Sequence, residues 1–200
     1  MMMILPYHPI ILASQSPRRR ELLGRIVPEF EVQPADADES LSPDCSPEQN
    51  VEQLARRKAR AVAQQAASGA LVIAADTIVV CDDEILGKPA DQADAVRMLQ
   101  LLSGRTHQVM TAVCVKTADT ELAEVSVTDV TFRTLHDGEA EAYAASGEPM
   151  DKAGAYGIQG AGGLFIPRID GDYYGVMGLP VCMLGELLRK VCGGTDTQKG

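Results

Sequence analysis

Positive charge is scarce in this chain: 18 Lys and Arg stand against 28 Asp and Glu, for a net charge of -10. General nucleic-acid binders draw their phosphate affinity from a basic surface, so that class is excluded. The cysteines (Cys45, Cys81, Cys114, Cys182, Cys192) are odd in number, widely spaced and without a C-x-x-C pair. They read as free thiols of a reducing cytosol in packing roles, not as a disulfide framework or a zinc site. The histidines, His8, His107 and His136, have no triad context, and no G-x-S-x-G, Walker A or G-x-G-x-x-G pattern is present. No apolar run reaches membrane-spanning length, and the apolar start MMMILPYHPIILAS lacks a basic n-region and is broken by Pro6 and Pro9. No membrane partner is therefore expected, and the expected location is cytoplasmic. Aromatics amount to 4% with no Trp, while the hydrophobic fraction of 46% is ordinary for a globular protein. A chain of 200 residues can bury one sizeable core, or at most two small ones.

What is present is an acidic protein with one local basic cluster. From Glu29 to Glu52 there are eight Asp or Glu and no Lys or Arg. The basic cluster lies in LASQSPRRRELL, residues 12–23. Ile10 to Ala13 reads as a buried strand, Ser14-Gln15 as a short loop, and Ser16 as a helix N-cap with Pro17 at the first helical position. Arg18, Arg19 and Arg20 then fill the first turn, where the helix macrodipole disfavours cations. An anion bound there by backbone N–H groups and guanidinium forks removes the conflict. The alternative is three arginines on a solvated turn. The balance of charge suits a small anionic ligand accompanied by a divalent cation.

Periodicity and punctuation predict a first helix over roughly 17–24, then a short strand at Phe30–Val32 in a Pro-punctuated acidic segment. A second helix opens at Ser46-Pro47 and runs to about Ala67, with Val51, Leu54, Ala55, Val62 and Ala66 as its apolar stripe. Lys58 falls on that stripe, so it either snorkels to an edge or reaches a buried anion. Ala70 to Val80 reads as a central strand buried on both faces, followed by a turn at 81–84 and a short return over 85–89. A helix over 91–102, two strands over 109–117 and 121–135 joined at Ala118–Thr120, and a short helix over 137–145 come next. Residues 150–163 are a Gly-rich loop or linker, 164–169 and 173–177 are read as extended, and a last helix runs from Pro180 to about Val191. The expectation is a mixed-sheet α/β fold, one domain in two lobes with a central cleft. Residues 1–9 are an N-terminal extension, 10–192 the domain, and 193–200 a disordered tail.

Asp76 interrupts the apolar run ALVIAADTIVV. A carboxylate there is costly to desolvate and needs a cation, a metal or several N–H donors. It is either a general base or a structural Asp bonded to a nearby turn. Lys88 precedes Pro89, which holds it extended, and it could meet a phosphate as a point charge. Glu39, with Asp36 and Asp38, offers hard oxygens suited to Mg²⁺ or Mn²⁺, though such a loop can equally be merely solvated. The Gln159 amide both donates and accepts, which matches the edge of a uracil or thymine base.

Taken in order, LASQSPRRRELL, DES at 38–40, AADTIVV at 74–80, GKP at 87–89, TFR at 131–133 and DKAGAYGIQG at 151–160 resemble the Maf family of nucleoside triphosphate pyrophosphatases. The resemblance runs from about Leu12 to the final helix. It implies an inosine-triphosphatase-like (Maf/Ham) fold and a cytoplasmic homodimer that uses a divalent metal cation, Mg²⁺, Mn²⁺ or Co²⁺. It implies hydrolysis of NTP to NMP and diphosphate by attack at the α-phosphate. The family's catalytic base matches Asp76, which with Glu39 would also hold the metal. Its specificity positions match Arg18, Thr77 and Gln159, and its other polar site positions fall on Ser14, Arg19, Glu39, Lys58 and Lys88. The AGAYGIQG loop resembles the dTTP/UTP-hydrolysing branch. Hydrolysis of 7-methyl-GTP or modified pyrimidine nucleotides, or a nucleotide-binding role in cell division, are the competing expectations.

Overall fold

The first strand, β1 (Ile10–Leu12), has parallel neighbours on both sides: β2 (Glu31–Val32) and the long β3 (Leu71–Cys81). The computed structural model describes residues 2–193, so the expected tail lies outside the described residues apart from Gly193. The chain leaves β1 through α1 (Pro17–Gly24) to reach β2, then returns through α2 (Pro47–Ala63) to β3 on the other flank. Both helices start as their sequences dictate. Ser16 and Ser46 are N-caps in extended conformation followed by Pro17 and Pro47, and Ser46 forms a reciprocal capping box with Gln49. The α2 stripe buries Val51, Leu54, Ala55, Ala59 and Val62.

Beyond β3 come β4 (Glu84–Leu86), α3 (Gln92–Leu102), β5 (Thr106–Lys116), β6 (Glu121–Thr131), α4 (Glu139–Ala145), β7 (Arg168–Asp170), α5 (Tyr173–Met177) and α6 (Val181–Val191). Among the described residues seven strands join one sheet in the order β2-β1-β3-β5-β6-β7, with β4 paired to β3 off that path. Parallel β1 pairings and antiparallel β3–β4 and β6–β7 pairings make the sheet mixed. The two-residue β3–β4 turn has Asp82 at φ 48° and Asp83 at φ 67°, the conformation whose twist suits a tight hairpin.

The chain divides into two compact units. One takes in the residues up to Asp76, Thr111–Ser126 and the chain from Gly178; the other takes in Thr77–Met110 and Val127–Met177. The second gathers most of the few aromatics. Phe132, Tyr143, Tyr156 and Phe165 pack ring against ring, joined by the buried His107, whose Nε2 lies 2.8 Å from the Tyr156 hydroxyl. Burial lowers His107 to about 4 and keeps it neutral.

Several boundaries differ from the sequence expectation. Residues 161–165 form a 3-10 turn, and the extended piece begins only at Arg168. Residues 173–177 are helical because the Asp172 carboxylate accepts from Tyr174 N and Gly175 N, an N-cap that the apolar spacing concealed. Strand β6 stops at Thr131, since Phe132 N and Arg133 N donate to Arg105 O and Phe165 O. Helix α2 stops at Ala63, four residues short of the expected end.

In the first unit, Glu121 ties α2 to β6. Its carboxylate lies 2.9 Å from Arg56, 2.7 Å from Arg60 and 3.5 Å from Lys116. Hydrogen bonds from Arg60 lead in lowering its pKa to about 2. A carboxylate depressed on folding adds stability above its unfolded pKa and loses it as pH falls through the folded value. Glu121→Gln is therefore expected to be less stable than the parent at pH 7 in urea unfolding. The difference should shrink as pH drops from about 4.5 towards 2, as both values are set by the same proton.

Candidate functional site

In open α/β sheets ligands collect beyond the carboxyl ends of strands where successive crossovers diverge. That point here lies between β1 and β3, because α1 leads from β1 to β2 on one side and α2 leads from β2 back past β1 to β3 on the other. Leu12 is in register with Ile73, and Ala13 N donates to Ile73 O at 2.8 Å. The loop Ala13–Ser16 thus runs beside the strand segment that ends in Asp76. Ser14 is buried, and its hydroxyl accepts from Ser16 N at 3.1 Å, setting the chain's entry into α1. No acidic residue occupies the first turn of α1. Arg19 is half-buried and its Nε donates to Gly178 O at 2.9 Å. Burial lowers its pKa, with the Asp76 carboxylate opposing that shift and Arg18 reinforcing it. Arg18 is half-buried and Arg20 exposed, so the arginines divide as their helical positions require.

Asp76 and Thr77 are the only positions of β3 that are not buried. The Asp76 side chain is still only 15% exposed, and Lys58 Nζ lies 2.7 Å from its Oδ2. Lys58 projects from the apolar face of α2, is 14% exposed, and also meets Glu39 Oε1 at 2.6 Å. One ammonium therefore bridges two carboxylates from different segments. Of the two readings open for a lysine on that stripe, reaching an anion within the fold, the largely shielded Asp76, is the one realised.

The loop that delivers Glu39 is itself held. Asp38 accepts from Ser40 N at 2.9 Å and from the Ser40 hydroxyl at 2.7 Å, and these bonds lower the Asp38 pKa. Arg57 Nη1 donates to the carbonyls of Asp38 at 3.1 Å and Ser40 at 2.8 Å. The buried Asn50 secures the next stretch through Ser42 N, Ser42 O and Cys45 O. Arg57, to the side of the apolar stripe, and Asn50 lie on α2 about one turn to either side of Leu54, and neither carries a motif that marks it in the sequence.

Three expected site residues belong to the second unit. Thr77 follows Asp76 and so points to the opposite face of the strand. Lys88 is exposed and makes no ion pair with any described residue; its segment is tied down by Gly154 N donating to Gly87 O at 3.0 Å. Gln159 is exposed on a turn closed by Gly160 N to Gly157 O at 3.2 Å.

Glu39 and Asp76 converge on a single positive centre with hard oxygens. Among the described residues no group of three or more His, Cys, Asp or Glu side chains could hold a metal ion. The pair nevertheless fits a Mg²⁺-type ion, which takes one or two carboxylates and fills its remaining positions with waters and phosphate oxygens.

A family model described as "Maf-like protein" matches residues 9–191. The chain belongs to that family. Among curated Maf-like relatives, a dTTP/UTP pyrophosphatase of Moorella thermoacetica is 52% identical over 181 residues, 90% of this chain and 93% of the relative. Proteins of the same name from Vibrio cholerae and Syntrophomonas wolfei are 51% and 49% identical, again over 90% of this chain, covering 97% and 95% of their own lengths. Among solved structures, a HAM1 protein from Coxiella burnetii covers 94% of this chain and 98% of its own at 16% identity, with a TM-score of 0.47. The mixed α/β assignment rests on the Maf-like chain's own sheet.

Removing one partner of a nearly buried ion pair leaves the other charge uncompensated. Lys58→Met should therefore destabilise the Maf-like domain, by less than the roughly 3–5 kcal/mol of a fully buried pair, since some solvent reaches both groups. In urea unfolding the Lys58→Met/Asp76→Asn double variant should lose less than the sum of the two single losses. Strict additivity would show that the 2.7 Å contact carries no coupling.

Proposed function

We propose that this chain is a nucleoside triphosphate pyrophosphatase that hydrolyses dTTP and UTP to the monophosphate and diphosphate, with attack at the α-phosphate. What carries the reading is the carboxylate of Asp76 in an apolar strand, held by Lys58, on a chain half-identical along nearly its whole length to pyrophosphatases of that specificity. The triphosphate is bound by Arg18 and Arg19 at the N-terminus of α1, where the macrodipole and guanidinium forks favour the same anion. This gives a reason for arginines at the wrong end of a helix dipole. Ser14 lines the approach to that turn. Lys58 and Lys88 offset the remaining charge as point cations.

Asp76 orients the attacking water and accepts its proton, with the Lys58 ammonium 2.7 Å from its carboxylate. A divalent cation held by Glu39 and Asp76 would, when bound, neutralise phosphate charge and polarise phosphorus. Thr77 and Gln159 serve base selection. The Gln159 amide can accept from N3–H and donate to a carbonyl of uracil or thymine. The same reading takes the enzyme as a cytoplasmic homodimer, which family resemblance supports.

The test is a nucleotide panel run with Mg²⁺, Mn²⁺ and Co²⁺, separating monophosphate plus diphosphate from nucleoside diphosphate plus phosphate. The expected products are the former pair, with dTTP and UTP preferred. Asp76→Asn should fold and bind nucleotide while turnover falls by about 10²–10⁴-fold, the usual contribution of a positioned base. Near-normal turnover in that variant would remove Asp76 from the mechanism, and release of phosphate would remove the reaction.

A further inference from the structure

The exposed turn that carries Gln159 has almost no regular structure to hold it, yet both of its ends are fixed by one pair of side chains. Gly157 N donates to the Tyr143 hydroxyl at 3.1 Å. Ala161 N donates to Glu148 Oε2 at 3.2 Å. The Tyr143 hydroxyl in turn donates to Glu148 Oε1 at 2.8 Å, so the two anchors form one continuous chain beneath the turn. All of these residues lie in the second unit.

Each anchor is itself set. Tyr143 is a buried residue of α4, and its ring stands edge-on to Phe165 with centroids 5.2 Å apart. Burial and the Glu148 contact push its pKa well up, so the hydroxyl stays a donor at any physiological pH. Glu148 opens the 3-10 turn that follows α4, and its backbone carbonyl accepts from the Lys152 ammonium. The turn closes on the carboxylate so tightly that a Cβ at Gly160 would lie 2.1 Å from Glu148 Oε1. A Cβ at Gly162 would lie 2.8 Å from the Tyr143 hydroxyl oxygen. Just before the turn, the buried Ala155 sits at φ 58°, a conformation a side chain adopts only where its surroundings hold it.

We propose that Tyr143 and Glu148 are positioning residues for base specificity, fixing the 157–160 turn so that the Gln159 amide is presented in one orientation to a uracil or thymine ring. The proposal rests on the reading of Gln159 as the base-selecting side chain. An amide discriminates between base edges only if its oxygen and nitrogen are held in place, because a rotating amide offers a donor or an acceptor to any edge. A turn loosened by about an ångström loses that discrimination without losing phosphate binding.

The experiment measures kcat and KM for dTTP, UTP, CTP and GTP in the parent, Tyr143→Phe, Glu148→Ala, Glu148→Gln and Gln159→Ala, with thermal unfolding of each. Tyr143→Phe keeps the ring packing and removes the hydroxyl; Glu148→Ala removes the other anchor and covers the case where the tyrosine variant fails to fold. Both should raise KM for dTTP and UTP about tenfold, with kcat little changed, so that the preference over CTP and GTP falls by the same factor. Glu148→Gln retains an acceptor for Ala161 N and should keep more of the preference than Glu148→Ala. Gly160→Ala should flatten the preference in the parent and add no further loss in the Glu148→Ala background, where the obstructing carboxylate is gone. Equal losses for all four nucleotides, or an unchanged preference, in Tyr143→Phe and Glu148→Ala while Gln159→Ala flattens it would overturn the positioning role and leave the Gln159 reading standing. An unchanged preference in Gln159→Ala would overturn both.

Discussion

A single ammonium group organises the first unit. Lys58 sits on the apolar face of α2 and bridges Asp76 of β3 and Glu39 of the acidic loop, at 2.7 and 2.6 Å. Without it, two carboxylates would repel each other and one of them would be desolvated beside apolar β-sheet. With it, helix, strand and loop are pinned at one point, midway along β3 and three residues past the register partner of the last residue of β1. The lysine is poorly placed for α2 as an amphipathic helix. Such a local violation marks a position where the requirement for a site outweighs the requirement for packing.

The surrounding residues show how little of a site's precision comes from the groups that touch substrate. Glu39 is mostly solvent-exposed, and its location depends on the Asp38–Ser40 hydrogen bonds and on Arg57 gripping the carbonyls on either side. Arg56 and Arg60 flank Lys58 on α2 and converge on Glu121, which holds the helix against the β5–β6 end of the same unit. Polar residues without a chemical part thus fix the frame in which a few others act. In the second unit the same logic recurs around Gln159, where a tyrosine hydroxyl and a glutamate carboxylate replace regular secondary structure as the source of rigidity.

Most of the secondary structure was legible because its signals are local. Ser16-Pro17 and Ser46-Pro47 announce helix starts, the ALVIAADTIVV run announces a buried strand, and the motif order announces a Maf-like chain. The misread segment, 161–177, fails for an equally physical reason. Its short helix is set by the Asp172 cap and its 3-10 turn by glycines packed close against 157–158, neither of which leaves a periodic pattern.

By itself the sequence determined most of the helices and strands outside 161–177, that Asp76 requires a compensating partner, and which family's motifs the chain carries. These follow from short-range periodicity, capping chemistry and the cost of an unpaired carboxylate. The meeting of Asp76 with Lys58, 18 positions away, was decided only by tertiary structure, because it depends on how α2 packs against β3. The same holds for the Tyr143–Glu148 pair, since a hydroxyl and a carboxylate five residues apart carry no visible relation to Gln159 until the chain folds back and closes the turn over them.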